Sequence, residues 1–135
     1  MALFLPFQEL FRFPDHPDGI VIPVTLQSGT LTHAAHAAVD CGAGVCLFSR
    51  EIGELLDLPI EQGDPIRLRT LAGSLDAFGH EVTLTALNLS VVSVIYFARY
   101  EGLPRNLLGR LGWLRKINFG LVENDNLIYA GRYDA

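Results

Sequence analysis

The chain has 135 residues, half of them hydrophobic, with 13 Gly and 7 Pro, a balance that fits one compact domain around one core. Fifteen acidic residues against ten basic leave a net charge of -5, which argues against a phosphate-binding surface of the kind nucleic acid requires. No apolar run approaches the roughly 20 residues of a spanning helix, so neither nucleic acid nor membrane is an expected partner. An internal duplication does not fit in this length, so a site that needs two equivalent halves must take its second half from another chain.

Residues 1–19 read as an N-terminal segment and residues 20–135 as the domain. Met1 to Phe7 is apolar but has no basic residues before it, and Pro6, Gln8 and Glu9 interrupt it, so it does not read as a signal peptide and the expected compartment is the cytoplasm. Phe4, Phe7, Phe11 and Phe13 are expected to pack on the domain or at a subunit interface. Cys41 and Cys46 are expected to be reduced thiols.

Residues 20–27 are rich in β-branched types and end at Ser28-Gly29, a strand and a turn, with Pro23 placing that strand at a sheet edge. Residues 30–39 and 45–48 read as two strands joined by the tight loop Asp40-Cys41-Gly42-Ala43-Gly44. Ser49 is then a candidate N-cap for a short helix whose apolar face carries Ile52, Leu55 and Leu56,. Residues 66–71 and 82–87 alternate with period two, and Gly73 and Gly79 lie between them, which predicts a hairpin with a mobile tip. Residues 91–98 form a continuous apolar run long enough for a strand buried on both faces. Arg110 to Leu114 reads as a helical turn, and residues 117–122 and 127–130 as closing strands around Asn124-Asp125-Asn126,. About eight short strands and one or two short helices predict an all-β fold, a small closed or partly open barrel.

Asp40 stands between two apolar segments, followed by glycines that allow backbone N–H groups to approach its carboxylate closely,. Two readings stand side by side at this point. One is an aspartate that closes a strand-to-turn by bonding its own backbone; the other is a carboxylate held for chemistry.

Ala38-Val39-Asp40-Cys41-Gly42-Ala43, with Leu107-Leu108-Gly109-Arg110 further on, resembles the two signature elements of the retropepsin-like aspartic proteases. The order of loop, helix, hairpin, long strand, apolar-apolar-Gly element and final strands extends the resemblance from Ile20 to Ala130. It implies an acid-protease-like barrel and an aspartic endopeptidase acting on a polypeptide substrate. Asp40 is then the catalytic residue, with Cys41, Gly42 and Ala43 forming the active-site loop. Leu71, Ala72, Gly73 and Ser74, running on to Gly79, become the flap over the substrate, while Leu107, Leu108 and Gly109 support the loop. A groove favouring apolar side chains is expected from Val45, Leu47, Leu71 and Val94.

Hydrolysis by this route needs two carboxylates close enough to hold one water and share one proton. The chain has one such loop, so the resemblance implies a homodimer with an Asp40 from each subunit, and neither metal nor organic cofactor follows from that chemistry. Where the family has Thr or Ser after the aspartate this chain has Cys41, and a thiol is a weaker hydrogen-bonding brace than a hydroxyl.

The rival expectation is a protease-like dimer, catalytically weak or inactive, that binds peptides or proteins. A cysteine nucleophile at Cys41 would need a histidine, and nothing in the spacing selects among His33, His36 and His80. His33-Ala34-Ala35-His36 lacks the further ligands of a tetrahedral metal site,.

Overall fold

In the computed structural model, which describes residues 1–134, the chain forms ten strands, one short α-helix and three 3-10 turns. The strands are β1 (Glu9–Arg12), β2 (Val21–Ser28), β3 (Leu31–Val39), β4 (Leu47–Phe48), β5 (Asp64–Thr70), β6 (Gly73–Ala86), β7 (Leu89–Ala98), β8 (Asn106–Leu108), β9 (Ile117–Val122) and β10 (Leu127–Arg132); α1 spans Arg50–Leu55. Six of the strands close a barrel in the order β2-β3-β8-β4-β7-β6, with β6 pairing back to β2. The expected small all-β barrel is what the chain builds.

Closure follows from the alternating pattern of the long strands. In β2, Ile22, Val24 and Leu26 point inward and are buried, as are Val82, Leu84 and Ala86 of β6 and Ile95 and Phe97 of β7. Residues of period two on each strand therefore share one interior. Pro23, read as an edge signal, lies in a strand of the closed ring. It fits there because β6 pairs with β2 only from Val24 onward, so the edge is local to the start of the strand,.

β1, β10 and β9 form a separate three-stranded antiparallel sheet. Phe13, Trp113, Ile117, Ile128 and Ala130 join the barrel residues in one core, and Trp113 meets Phe119 edge to face at 5.8 Å,. The N-terminal segment thus supplies a strand to this sheet, with Phe7 tilted against Tyr129 at 5.7 Å. Met1, Leu3, Phe4 and Leu5 are exposed.

Other local expectations are refined. Ser49 does cap α1, its hydroxyl accepting the Ile52 N–H at 3.3 Å. Residues 110–116 form a turn and a 3-10 segment instead of a second helix. β7 is not buried on both faces, because Val92 and Val94 are exposed on the outside of the barrel. Gly79 is not part of the hairpin tip: it pairs with Asp64 on one side and Tyr96 on the other, where a Cβ would stand 2.9 Å from both Val94 and Tyr96 side chains.

Candidate active site

β8 is inserted between β3 and β4, parallel to the first and antiparallel to the second. The segment joining β3 to β4 must therefore loop around the end of β8, and Asp40 is its first residue. Pairing in β3 sets Ala37 opposite Asn106, Ala38 opposite Leu107 and Val39 opposite Leu108. Small alanines at these positions are buried, which lets the central strand lie close.

Four backbone hydrogen bonds fasten the loop. The Asp40 N–H donates to the Leu108 carbonyl at 2.9 Å, Ala43 N–H to the Asp40 carbonyl at 3.2 Å, Arg110 N–H to the Ala43 carbonyl at 2.9 Å and Leu111 N–H to the Gly44 carbonyl at 3.0 Å. Gly109 lies between these anchors. A Cβ there would collide with the Val45 carbonyl and stand 2.8 Å from the Ala43 carbonyl oxygen, so glycine is required by space.

Asp40 itself is half-buried, and its Oδ1 accepts the Gly42 N–H at 2.9 Å. This is the local turn bond of the first reading. It also fixes the carboxylate's orientation, so it is compatible with the second. Cys41 and Gly42 are exposed, and Ala43 is half-buried. A Cβ on Gly42 would stand 3.2 Å from Asp40 Oδ1, which keeps that close N–H approach for glycine.

The structure brings Asp40, Cys41, Gly42 and Ala43 together with Leu107, Leu108 and Gly109. The second group, Leu71, Ala72, Gly73 and Ser74, occupies the tip of the β5–β6 hairpin and is exposed, Leu71 completely so. Gly73 has φ +122°, a conformation that disfavours any other residue, and Thr70 closes the turn through its hydroxyl, which donates to the Gly73 carbonyl at 2.8 Å and accepts the Ala72 N–H at 3.2 Å. Within one chain the tip side chains stand clear of the Asp40 loop. Val45 and Leu47, expected in a groove, are buried beneath the loop, and Val94 faces outward from β7. The segment from Val45 to Phe48 holds the loop from below, which is why its apolar residues go to the interior.

Two supporting residues escaped the sequence reading. Asn106 spans the root of the loop: its amide donates to the His36 carbonyl at 2.9 Å, and its Oδ1 accepts the Ser49 N–H at 3.0 Å. It ties β3 to the start of α1, and the only sequence signal was a polar residue opening an apolar strand. Cys46, fully buried, accepts the Gly109 N–H on sulfur at 3.3 Å. Burial pushes its thiol up to about 11, against a smaller opposing effect of the backbone contacts from Gly109 and Gly112,, so it is a structural, neutral thiol. His33 and His36, three apart in β3, point to opposite faces of the strand,. Among the described residues no group of three or more His, Cys, Asp or Glu is placed to hold a metal ion.

No helix among the described residues is long and apolar enough to cross a membrane. No known protein family matches the chain, and no curated protein matches it either.

Proposed function

We propose that the chain is an aspartic endopeptidase of the retropepsin-like type, working as a homodimer in which two Asp40 carboxylates share one water and one proton. The observation that carries this reading is the way Asp40 is held: on a loop wrapped round the end of β8, with Gly109 packed against it and its carboxylate oriented by the Gly42 N–H. A loop this tightly fixed by main-chain bonds meets the positional demand of acid–base catalysis.

In this mechanism the ionised Asp40 takes a proton from the water as its oxygen attacks the scissile carbonyl carbon, while the protonated Asp40 of the second subunit gives its proton to the carbonyl oxygen. The tetrahedral diol then collapses: the C–N bond breaks, the leaving nitrogen takes a proton from the carboxyl that had accepted one, and a diol hydroxyl returns its proton to the other Asp40 carboxylate as the new carboxyl group forms. No cofactor enters the balance. The β5–β6 hairpin closes over the bound polypeptide, its Leu71 tip leaving solvent on closure.

The second reading is a barrel of the same kind that binds peptides without cutting. The exposed thiol of Cys41 favours it, since a thiol braces a dyad across the axis less firmly than a hydroxyl. Asp40→Asn separates the two. Cleavage of a peptide library that disappears in this variant supports the enzyme. Cleavage that persists undiminished removes the aspartic mechanism, and wild type that binds peptides but cuts none between mildly acidic and neutral pH supports the binding module.

A further inference from the structure

The β5–β6 hairpin has two unlike faces. Its cross-strand partners are Pro65 with Phe78, Arg67 with Asp76 and Arg69 with Ser74 on one face, and Ile66 with Ala77 and Leu68 with Leu75 on the other,. The apolar face is the more buried. On the charged face, one carboxylate serves two guanidinium groups: Arg67 Nε donates to Asp76 Oδ1 at 3.0 Å, and Arg99 Nη1 lies 3.7 Å from Asp76 Oδ2.

Both arginines are held while remaining open to solvent. Arg99 stands over the Tyr100 ring at 5.3 Å,; Arg67 is 72% exposed and Arg99 47%, against 30% for Asp76. The donors of two planar forks outnumber the acceptors of one carboxylate, so a cationic site persists on a chain of net charge -5. A cleft of about 350 Å³ runs between them, with Pro65, Ile66 and Phe78 in its lining. Beside it β5 is the terminal strand of its sheet, and its outer backbone edge is unpaired.

We propose that this edge docks an extended acidic segment of a polypeptide, added as a strand to β5, with its carboxylates toward Arg67 and Arg99 and its intervening apolar side chains on the opposite face, beside Ile66 and Leu68. Strand addition supplies main-chain hydrogen bonds, and the period of two sorts charge from apolar contact. The overall negative charge disfavours a nucleic-acid backbone as the occupant. The docking stands whether or not the chain cuts peptides.

The test uses a fluorescein-labelled peptide alternating glutamate and valine, with lysine replacing glutamate in a control, and anisotropy measured on the full chain carrying Asp40→Asn so that nothing is cleaved. The glutamate peptide should bind, the lysine peptide should not, and added salt should weaken binding. Arg67→Gln with Arg99→Gln should reduce affinity about tenfold or more while leaving the thermal transition in place. Equal binding of the two peptides, or unchanged affinity in the double variant, would overturn the proposal. So would sedimentation showing that the double variant alters self-association while the wild type ignores the peptide, since the arginines would then face a second copy.

Discussion

Gly109 and Val45 approach so closely that the carbonyl of one occupies the space where a side chain on the other would begin. This contact lies beneath the Asp40 loop, between the hydrogen bonds that join Ala43 to Arg110 and Gly44 to Leu111. It makes the loop's position a consequence of backbone packing. Gly109→Ala should therefore destabilise the fold by roughly 1–3 kcal/mol through overpacking, read as a lower urea midpoint with unchanged slope. A neutral result would mean that the loop can shift, and with it Asp40.

The two thiols should behave differently. Cys41 is exposed and should react at once with a thiol reagent under native conditions, whereas buried Cys46 should react only after unfolding,. Two thiols reacting at the same fast rate would contradict the placement of Cys46.

Cys46 also gives the fold an alkaline limit. Its thiol ionises near 9.0 in the unfolded chain and near 11 in the folded one, so between those values the unfolded state binds fewer protons and stability falls as pH rises. Below pH 9 both states hold the proton and this contribution is flat. The loss should approach about 2–3 kcal/mol at its limit, and Cys46→Ala should remove the slope, whatever it does to stability at neutral pH. Denaturant midpoints measured from pH 8 to 11 check both statements; an unchanged slope in the variant would place its origin elsewhere.

Much of the barrel was legible because its strands alternate cleanly. Ile22, Val24 and Leu26, or Val82, Leu84 and Ala86, mark an inner face by period alone, and Ser49 marked the start of α1 because its hydroxyl has one obvious donor to satisfy. What stayed hidden depends on partners distant in sequence. Pro23 looks like an edge residue until the register with β6 shows that the pairing starts one residue later. Gly79 looks like hairpin punctuation until Tyr96 and Val94 are found packed against it. At the site, Asp40 and Gly109 were readable as motif residues, but Asn106 was not, because both its partners, the His36 carbonyl and the Ser49 N–H, are main-chain groups that carry no sequence signature.

Asn106 therefore offers a separate check on the loop's support. Asn106→Leu should lower stability by about 1–3 kcal/mol, because the variant leaves the Ser49 N–H and the His36 carbonyl without their partner. A denaturant midpoint equal to wild type would show that water replaces the amide without loss.

At the hairpin tip, Gly73 adopts φ +122°, and Gly73→Ala should strain the turn by about 1 kcal/mol or more. A cost of that size should lower the thermal midpoint by only a few degrees. If the hairpin closes over substrate, kcat/KM for peptide hydrolysis should fall; unchanged kinetics would remove the flap role.

The central claim is that one active site needs an Asp40 from each of two chains, and mixing tests it most directly. Wild-type and Asp40→Asn subunits are combined in varied proportion, allowed to exchange, and assayed for peptide hydrolysis at constant total protein. A shared dyad predicts activity that follows the square of the wild-type fraction, because only dimers with two Asp40 residues cut. Activity that falls in direct proportion to that fraction would show that each chain works with its own Asp40, and would contradict the account.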